Sequence, residues 1–256
     1  MADVAQMVPL TEKLKIALQD QVLPGFLFRW RAALKGVPDS ELYNPRFQPW
    51  RGPSEFQTTY NEIRQHTLVT QERAWTLQSL ARQALTLQGD FVEAGVYQGG
   101  TARLLRKVIE SSPNRRCLHL FDTFLGMPTT NKEHDHHQAG DFSNTSTEAV
   151  SSFVGREDWI LYHKGLIPQT FQGLESSRVA LSHIDVDIYQ SVVDCCQFLY
   201  PRTVPGGFLL FDDYGFPSCP GARAAVDEFF RDKPEIPLVL HSGQAVVFKS
   251  PQVSAP

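Results

Sequence analysis

At 256 residues the chain suits one domain with an appendage, and 42% apolar residues supply a sizeable core. A net charge of -4, a pI near 6.1 and the lack of any basic stripe argue against nucleic acid as a partner. The cysteines Cys117, Cys195, Cys196 and Cys219 form no CxxC pair and read as reduced thiols of a cytoplasmic protein, and no apolar run approaches the ~20 residues that span a bilayer.

Met1 to Leu10 carries Asp3 and no basic run, so it does not read as a signal peptide. Thr11 to Gln21 has the spacing of a short amphipathic helix, stopped by Pro24-Gly25. Residues 38–53 combine Pro38, Pro45, Pro49 and Pro53 with several aromatics, the composition of an irregular arm packed on a body. Residues 1–65 are therefore expected to form a partly helical N-terminal arm or lid, residues 66–250 the main domain, and residues 251–256 a frayed tail.

Helical spacing runs from Thr70 through Trp75, Leu77, Leu80, Ala81, Ala84 and Leu85 to a stop at Gly89. Asp90 to Val96 reads as a strand, and Gly99-Gly100-Thr101 opens a helix through Glu110. A second strand, Cys117 to Phe121, ends at Asp122. A polar loop, Gly126 to Thr145, leads to a helix over Thr147 to Val154 and a strand over Trp159 to Tyr162. A short helix begins at Pro168. Strands follow at 179–184 and 207–211, with helices at 188–200 and Gly221 to Phe230. Leu238 to Leu240 and Ala245 to Phe248 form a terminal pair joined at Ser242-Gly243-Gln244. The alternation predicts an α/β fold: a Rossmann-like, doubly wound sheet, mostly parallel, with an antiparallel C-terminal edge hairpin.

Glu93-x-Gly95-x-x-x-Gly99 falls where the first strand turns into its helix. Gly95 permits a sharp bend and close backbone approach, and the helix start offers free N–H groups. Asp122 ends the next strand, where carboxylates commonly bind ribose hydroxyls. The GxGxxG of dinucleotide sites is absent, and Glu93 would repel a pyrophosphate while suiting a cationic amino-acid group. The pattern favours S-adenosylmethionine over NAD; the plain alternative is a tight turn.

The other acidic feature is doubled. Asp185-Val186-Asp187 follows the fourth strand, and Asp212-Asp213 follows the fifth. Asp185, Asp212 and Asp213 can offer three oxygens to Mg²⁺, with Asp187 left as general base. Helix capping explains one carboxylate at each strand end but not two at both. His134-Asp135-His136-His137 reads as a solvated, mobile lid rather than a metal site, and His183 as support for the Asp185 site or as satisfied packing. Asp185-Val186-Asp187 also matches the DxD of nucleotide-sugar glycosyltransferases, and a non-catalytic binding domain is a third reading.

Several blocks occur in order: Gly89 to Gly100, Phe121 to Pro128, Ile184 to Tyr189, Tyr200-Pro201, Pro205 to Phe208 and Phe211 to Gly215. Together, over roughly residues 66 to 232, they resemble the macrocin O-methyltransferase family, whose members methylate sugar hydroxyls on antibiotics. The resemblance implies Mg²⁺-dependent methyl transfer from S-adenosylmethionine to an alcohol oxygen. It implies Asp185, Asp212 and Asp213 as metal ligands and Asp187 as base. It places Glu93, Gly95, Tyr97, Gly99, Thr101, Asp122, Thr123, Phe124, Asp141, Phe142 and Ser143 at the cofactor, with Thr67 and Arg73 at cofactor or lid. The implied acceptor is a small molecule with a hydroxyl, a vicinal diol or glycoside that could chelate the metal. Exchange of the aromatic-rich arm would make a homo-oligomer.

Overall fold

A computed structural model describes residues 48–52 and 54–251. The helix expected at Thr11 to Gln21, most of the 38–53 arm and nearly all of the tail lie outside the described residues.

Helix α1 (Glu55–Ile63) starts where the Ser54 hydroxyl accepts the Gln57 N–H at 3.2 Å. It lies inside the segment read as an arm, yet Phe56 and Ile63 are buried in the core. Helix α2 (Gln71–Ala84) buries Ala74, Leu77, Ala81 and Ala84, a stripe at helical spacing. The remaining elements are β1 (Asp90–Ala94), α3 (Gly100–Glu110), β2 (Leu118–Asp122), α4 (Thr147–Val154), β3 (Ile160–Lys164), β4 (Val179–Ile184), α5 (Tyr189–Leu199), β5 (Thr203–Phe211), α6 (Pro220–Phe230), β6 (Leu238–Val239) and β7 (Ala245–Phe248).

These strands form one sheet in the order β3-β2-β1-β4-β5-β7-β6. The pairings of β1 with β2 and β4, of β2 with β3, and of β4 with β5 are parallel. Strand β7 runs antiparallel to both β5 and β6. The terminal hairpin is thus inserted with its second strand inward, because Ala245, Val246 and Val247 are buried while Leu238 and Val239 are exposed. All six residues of β4 are buried, as expected of a parallel strand covered on both faces. One face packs under α1, α2 and α3, the other under α5 and α6.

Strand β5 begins at Thr203, four residues before the start expected from the sequence. Pro205 and Gly206 read as breakers but form an exposed irregularity, and the register against β4 shifts between Val179 and Leu181. The chain reverses direction of strand addition after β3, so β1 and β4 flank the switch point where open α/β sheets bind ligands. No helix among the described residues is long and apolar enough to cross a membrane.

Candidate active site

At the carboxyl end of β1 the chain turns at Gly95, whose φ is +85°. A side chain there would collide with the Asp185 carbonyl, while the Asp185 N–H donates to the Ala94 carbonyl at 2.8 Å. Glycine at 95 is therefore what lets β1 and β4 close on each other at the switch point. The turn beyond it is held by one carboxylate: Asp122 accepts N–H bonds from Val96 at 2.7 Å, Tyr97 at 2.9 Å and Phe124 at 2.7 Å. Both Asp122 oxygens are thus engaged with backbone.

A cavity of about 280 Å³ opens at this edge. Among the residues expected from the sequence, Thr67, Gly95, Tyr97, Thr101, Asp122, Thr123, Phe142, Asp185, Asp187 and Asp213 line it, as does Arg73. Glu93, Gly99, Phe124, Asp141, Ser143 and Asp212 stand off its surface. Gly99 caps α3 in a left-handed conformation. Phe124 is buried in the core, and Asp141 and Ser143 back the Gly126 turn. Tyr97, Phe124, Phe142 and Asp187 all have positive φ, between 50° and 59°, although none is glycine. Such backbone costs about 1–3 kcal/mol per residue and persists where surrounding contacts over-determine it, as they do around functional sites.

Glu93 is fully buried, and its Oε1 lies 2.8 Å from His183 Nδ1. The other nitrogen, His183 Nε2, sits 3.6 Å from Asp212 Oδ1. Burial opposes charge on this imidazole, but Asp212 and Glu93 on its two sides outweigh burial and push its pKa up to about 10. His183 thus sits between Glu93 and Asp212, rather than against the Asp185 that it was expected to support.

Asp212 also meets the Arg73 guanidinium and accepts from Gln244 Nε2 at 2.7 Å. Arg73 is itself fixed by the Leu68 carbonyl at 2.7 Å and lies 4.7 Å above the Phe216 ring. Burial pushes Asp212 up, yet His183, Arg73 and Gln244 overcome it and hold this carboxyl below its ordinary value. At Asp185 the pull of His183 and Arg73, and at Asp213 the bond from the Asp187 N–H, fall short of that balance. Burial first, then repulsion from neighbouring aspartates, raises both well above the usual carboxylate range.

Oxygens of Asp185, Asp212 and Asp213 lie within 4.8 Å of one another. Three hard oxygen donors, two of them only partly compensated, suit a divalent cation such as Mg²⁺ by charge and chemistry.

Asp187 stands beside this cluster. Its N–H donates to Asp213 Oδ2 at 3.0 Å, and its carboxylate accepts from the Cys219 thiol at 3.4 Å. His137 Nε2 lies 3.7 Å from the same Asp187 oxygen, with His137 Nδ1 3.1 Å from Asp141 Oδ2. Burial raises the Asp187 carboxyl, against the opposing pull of His137 and Cys219.

The loop carrying His137 differs from the solvated lid expected from sequence. Buried Asp135 accepts the Tyr189 N–H at 2.8 Å and the Asn131 N–H at 3.2 Å, and His134 stacks on the Tyr189 ring. These bonds pin the loop to the start of α5. His137, Cys219 and Gln244 are the neighbours of the acidic groups that sequence reasoning missed. Each comes from a loop or helix start with no periodic pattern to mark it; the histidine-rich run was the one available signal.

A family model described as Macrocin-O-methyltransferase (TylF) matches residues 59–248. The chain is 30% identical over 178 residues to the 8-demethyl-8-(2,3-dimethoxy-alpha-L-rhamnosyl)-tetracenomycin-C 4'-O-methyltransferase of Streptomyces olivaceus, covering 64% of this chain and 67% of the relative. It is also 30% identical over 185 residues to the Mycinamicin III 3''-O-methyltransferase of Micromonospora griseorubida, covering 66% and 71%. Among solved structures, the O-methyltransferase NovP superposes with a TM-score of 0.64 at 22% identity, over 73% of this chain and 83% of NovP.

Proposed function

Since the chain belongs to the macrocin O-methyltransferase family, we propose that it methylates a sugar hydroxyl on a small natural product, with a divalent cation held by Asp185, Asp212 and Asp213 and with Asp187 as base. It is an S-adenosylmethionine-dependent O-methyltransferase, and the glycosyltransferase and non-catalytic readings give way accordingly. The observation that carries the finer proposal is the carboxylate cluster at the ends of β4 and β5, whose Asp185 and Asp213 face the same cavity as the Gly95 turn.

In the transfer, an oxygen–methyl bond forms, the methyl–sulfur bond breaks and S-adenosylhomocysteine leaves. The hydroxyl proton goes to a carboxylate oxygen of Asp187. A sugar hydroxyl is a poor nucleophile at neutral pH, so this proton acceptor matters. Mg²⁺, when bound, lowers the hydroxyl pKa and supplies a template for a vicinal diol.

The chain's residues do the rest. Asp122 holds the Val96–Tyr97 turn against which the donor seats. Arg73 and His183 keep Asp212 ionised and in place. His137 and Cys219 direct the Asp187 carboxylate at the cavity wall. Exposed Leu68 and Leu166 at the cavity lining offer apolar surface for an aglycone.

The test is methyl transfer from S-adenosylmethionine to a panel of deoxysugar glycosides, assayed with EDTA and with Mg²⁺ restored. Activity should disappear in EDTA and return with Mg²⁺. Full activity in EDTA would remove the cation from the mechanism, and transfer only to non-sugar phenols would remove the sugar acceptor.

A further inference from the structure

A second cluster of metal-binding side chains lies on β1 and β2, away from the residues that line the cavity. Asp90 opens β1 and Cys117 immediately precedes β2, and the register Phe91↔Leu118 and Val92↔His119 sets Asp90 opposite Cys117. Alternation along the strands then puts Asp90, Cys117 and His119 on one face of the sheet. One donor atom from each lies within 4.8 Å of the other two.

Their hydrogen bonding leaves the right atoms free. Asp90 Oδ1 accepts the Cys117 N–H at 3.0 Å, while Oδ2 lies 3.7 Å from His119 Nε2. His119 is 4% exposed, and its Nε2 is buried without a hydrogen-bond partner. The other ring nitrogen, Nδ1, lies 3.1 Å from His163 Nε2 on β3. With Nδ1–H donating to His163, the Nε2 lone pair points at Asp90 and Cys117. A buried nitrogen with no partner is costly unless something occupies that direction. A partner on the far ring nitrogen that fixes tautomer and orientation is the usual support of a metal-bound histidine.

We propose that Asp90, Cys117 and His119 bind a transition-metal ion of borderline softness, Zn²⁺ or its analogue Co²⁺, clipping β1 to β2 at the amino end of the sheet. Tetrahedral Zn²⁺ with one sulfur, one nitrogen and one carboxylate ligand needs donor separations of about 3.3–3.6 Å. The His119–Asp90 separation is already close to that, and a donor atom of half-buried Cys117 lies within 4.8 Å of those of the other two residues. Partial exposure of Cys117 and Asp90 leaves the fourth position to water. The Arg116 guanidinium near Asp90 is directed to the carbonyls of Gly89 and Leu85. This ion differs in kind from that suited to Asp185, Asp212 and Asp213, where all donors are oxygen.

The experiment is Co²⁺ and Zn²⁺ titration of full-length, EDTA-treated protein under reducing conditions, read by absorbance and by metal content after desalting. One equivalent of Co²⁺ should give a thiolate-to-metal charge-transfer band and tetrahedral d–d bands, with Zn²⁺ displacing both. Cys117→Ser should remove the charge-transfer band, and His163→Gln should weaken binding about 10- to 100-fold. Cys219→Ser and Asp213→Asn should leave the bands intact. If His119→Gln fails to fold, Cys117→Ser and His163→Gln still decide the matter. No thiolate band in the wild type, a band that survives Cys117→Ser, or one lost instead with Cys219→Ser would overturn the proposal.

Discussion

The two halves of the cavity wall use carboxylates in opposite ways. On the β1–β2 side, Asp122 spends both oxygens on backbone N–H groups, and its work of shaping a turn is complete within the chain. On the β4–β5 side, half-buried Asp185 and buried Asp213 lie close together with their charge only partly compensated. A satisfied carboxylate stabilises a fold; a cluster only partly compensated costs stability until a cation or proton arrives. The difference separates architecture from chemistry more sharply than position does, since both groups face one cavity.

Substitutions can break this contrast in order of effect. Gly95→Ala attacks the junction of the halves: a left-handed backbone costs about 1–2 kcal/mol for a non-glycine residue, and the collision with Asp185 adds to it. Soluble expression should fall and S-adenosylhomocysteine binding by calorimetry should be lost. Asp187→Asn keeps shape and removes the proposed base, so kcat should drop about 10²- to 10⁴-fold with little change in thermal midpoint. An unaltered kcat would end its assignment as base.

Asp213→Asn removes one of the mutually repelling carboxyls. The apo protein should gain or hold stability in thermal melts, while several kcal/mol of cation assistance disappear from the rate, about 10²-fold or more. Asp122→Asn should do the reverse. It weakens charge-assisted bonds worth about 1.5–3 kcal/mol, lowering the melting temperature and donor affinity before it touches the chemical step. Equal stability losses for the two variants would erase the proposed division.

The smallest effect concerns pH. Raised carboxyl pKa values mean that folded Asp185 and Asp213 keep protons that the unfolded chain releases above its ordinary value near 3.8. Their contribution to stability is therefore present at acid pH and lost as pH rises through the raised values. Protons compete with the proposed Mg²⁺ for these oxygens, so the rise in melting temperature on adding Mg²⁺ to EDTA-treated protein should be absent near pH 4 and grow toward neutral pH. A Mg²⁺ effect independent of pH would place the ion elsewhere.

Much of this was legible in the sequence because the signals are local. Strand β4 is a run of six buried residues, and its expected and observed limits coincide. The doubled acids after β4 and β5 mark two strand ends that a parallel sheet must bring to one edge. Other features resisted. The start of β5 was hidden by Pro205 and Gly206, which behave as breakers in isolation and as a bulge inside a sheet. The order of β6 and β7 depends on which strand can be buried against β5, a matter of packing rather than pattern.

From the sequence alone came the α/β alternation, the glycine turn and the acidic pairs, since each depends on residues close along the chain. Tertiary structure decided which acids are compensated. Arg73 reaches Asp212 across 139 positions of sequence, His183 reaches Glu93 across 90, and His137 is carried to Asp187 by a loop that Asp135 pins to α5. The charge state of a buried carboxylate is set by what lies a few ångströms away in space, and no spacing along the chain encodes that distance.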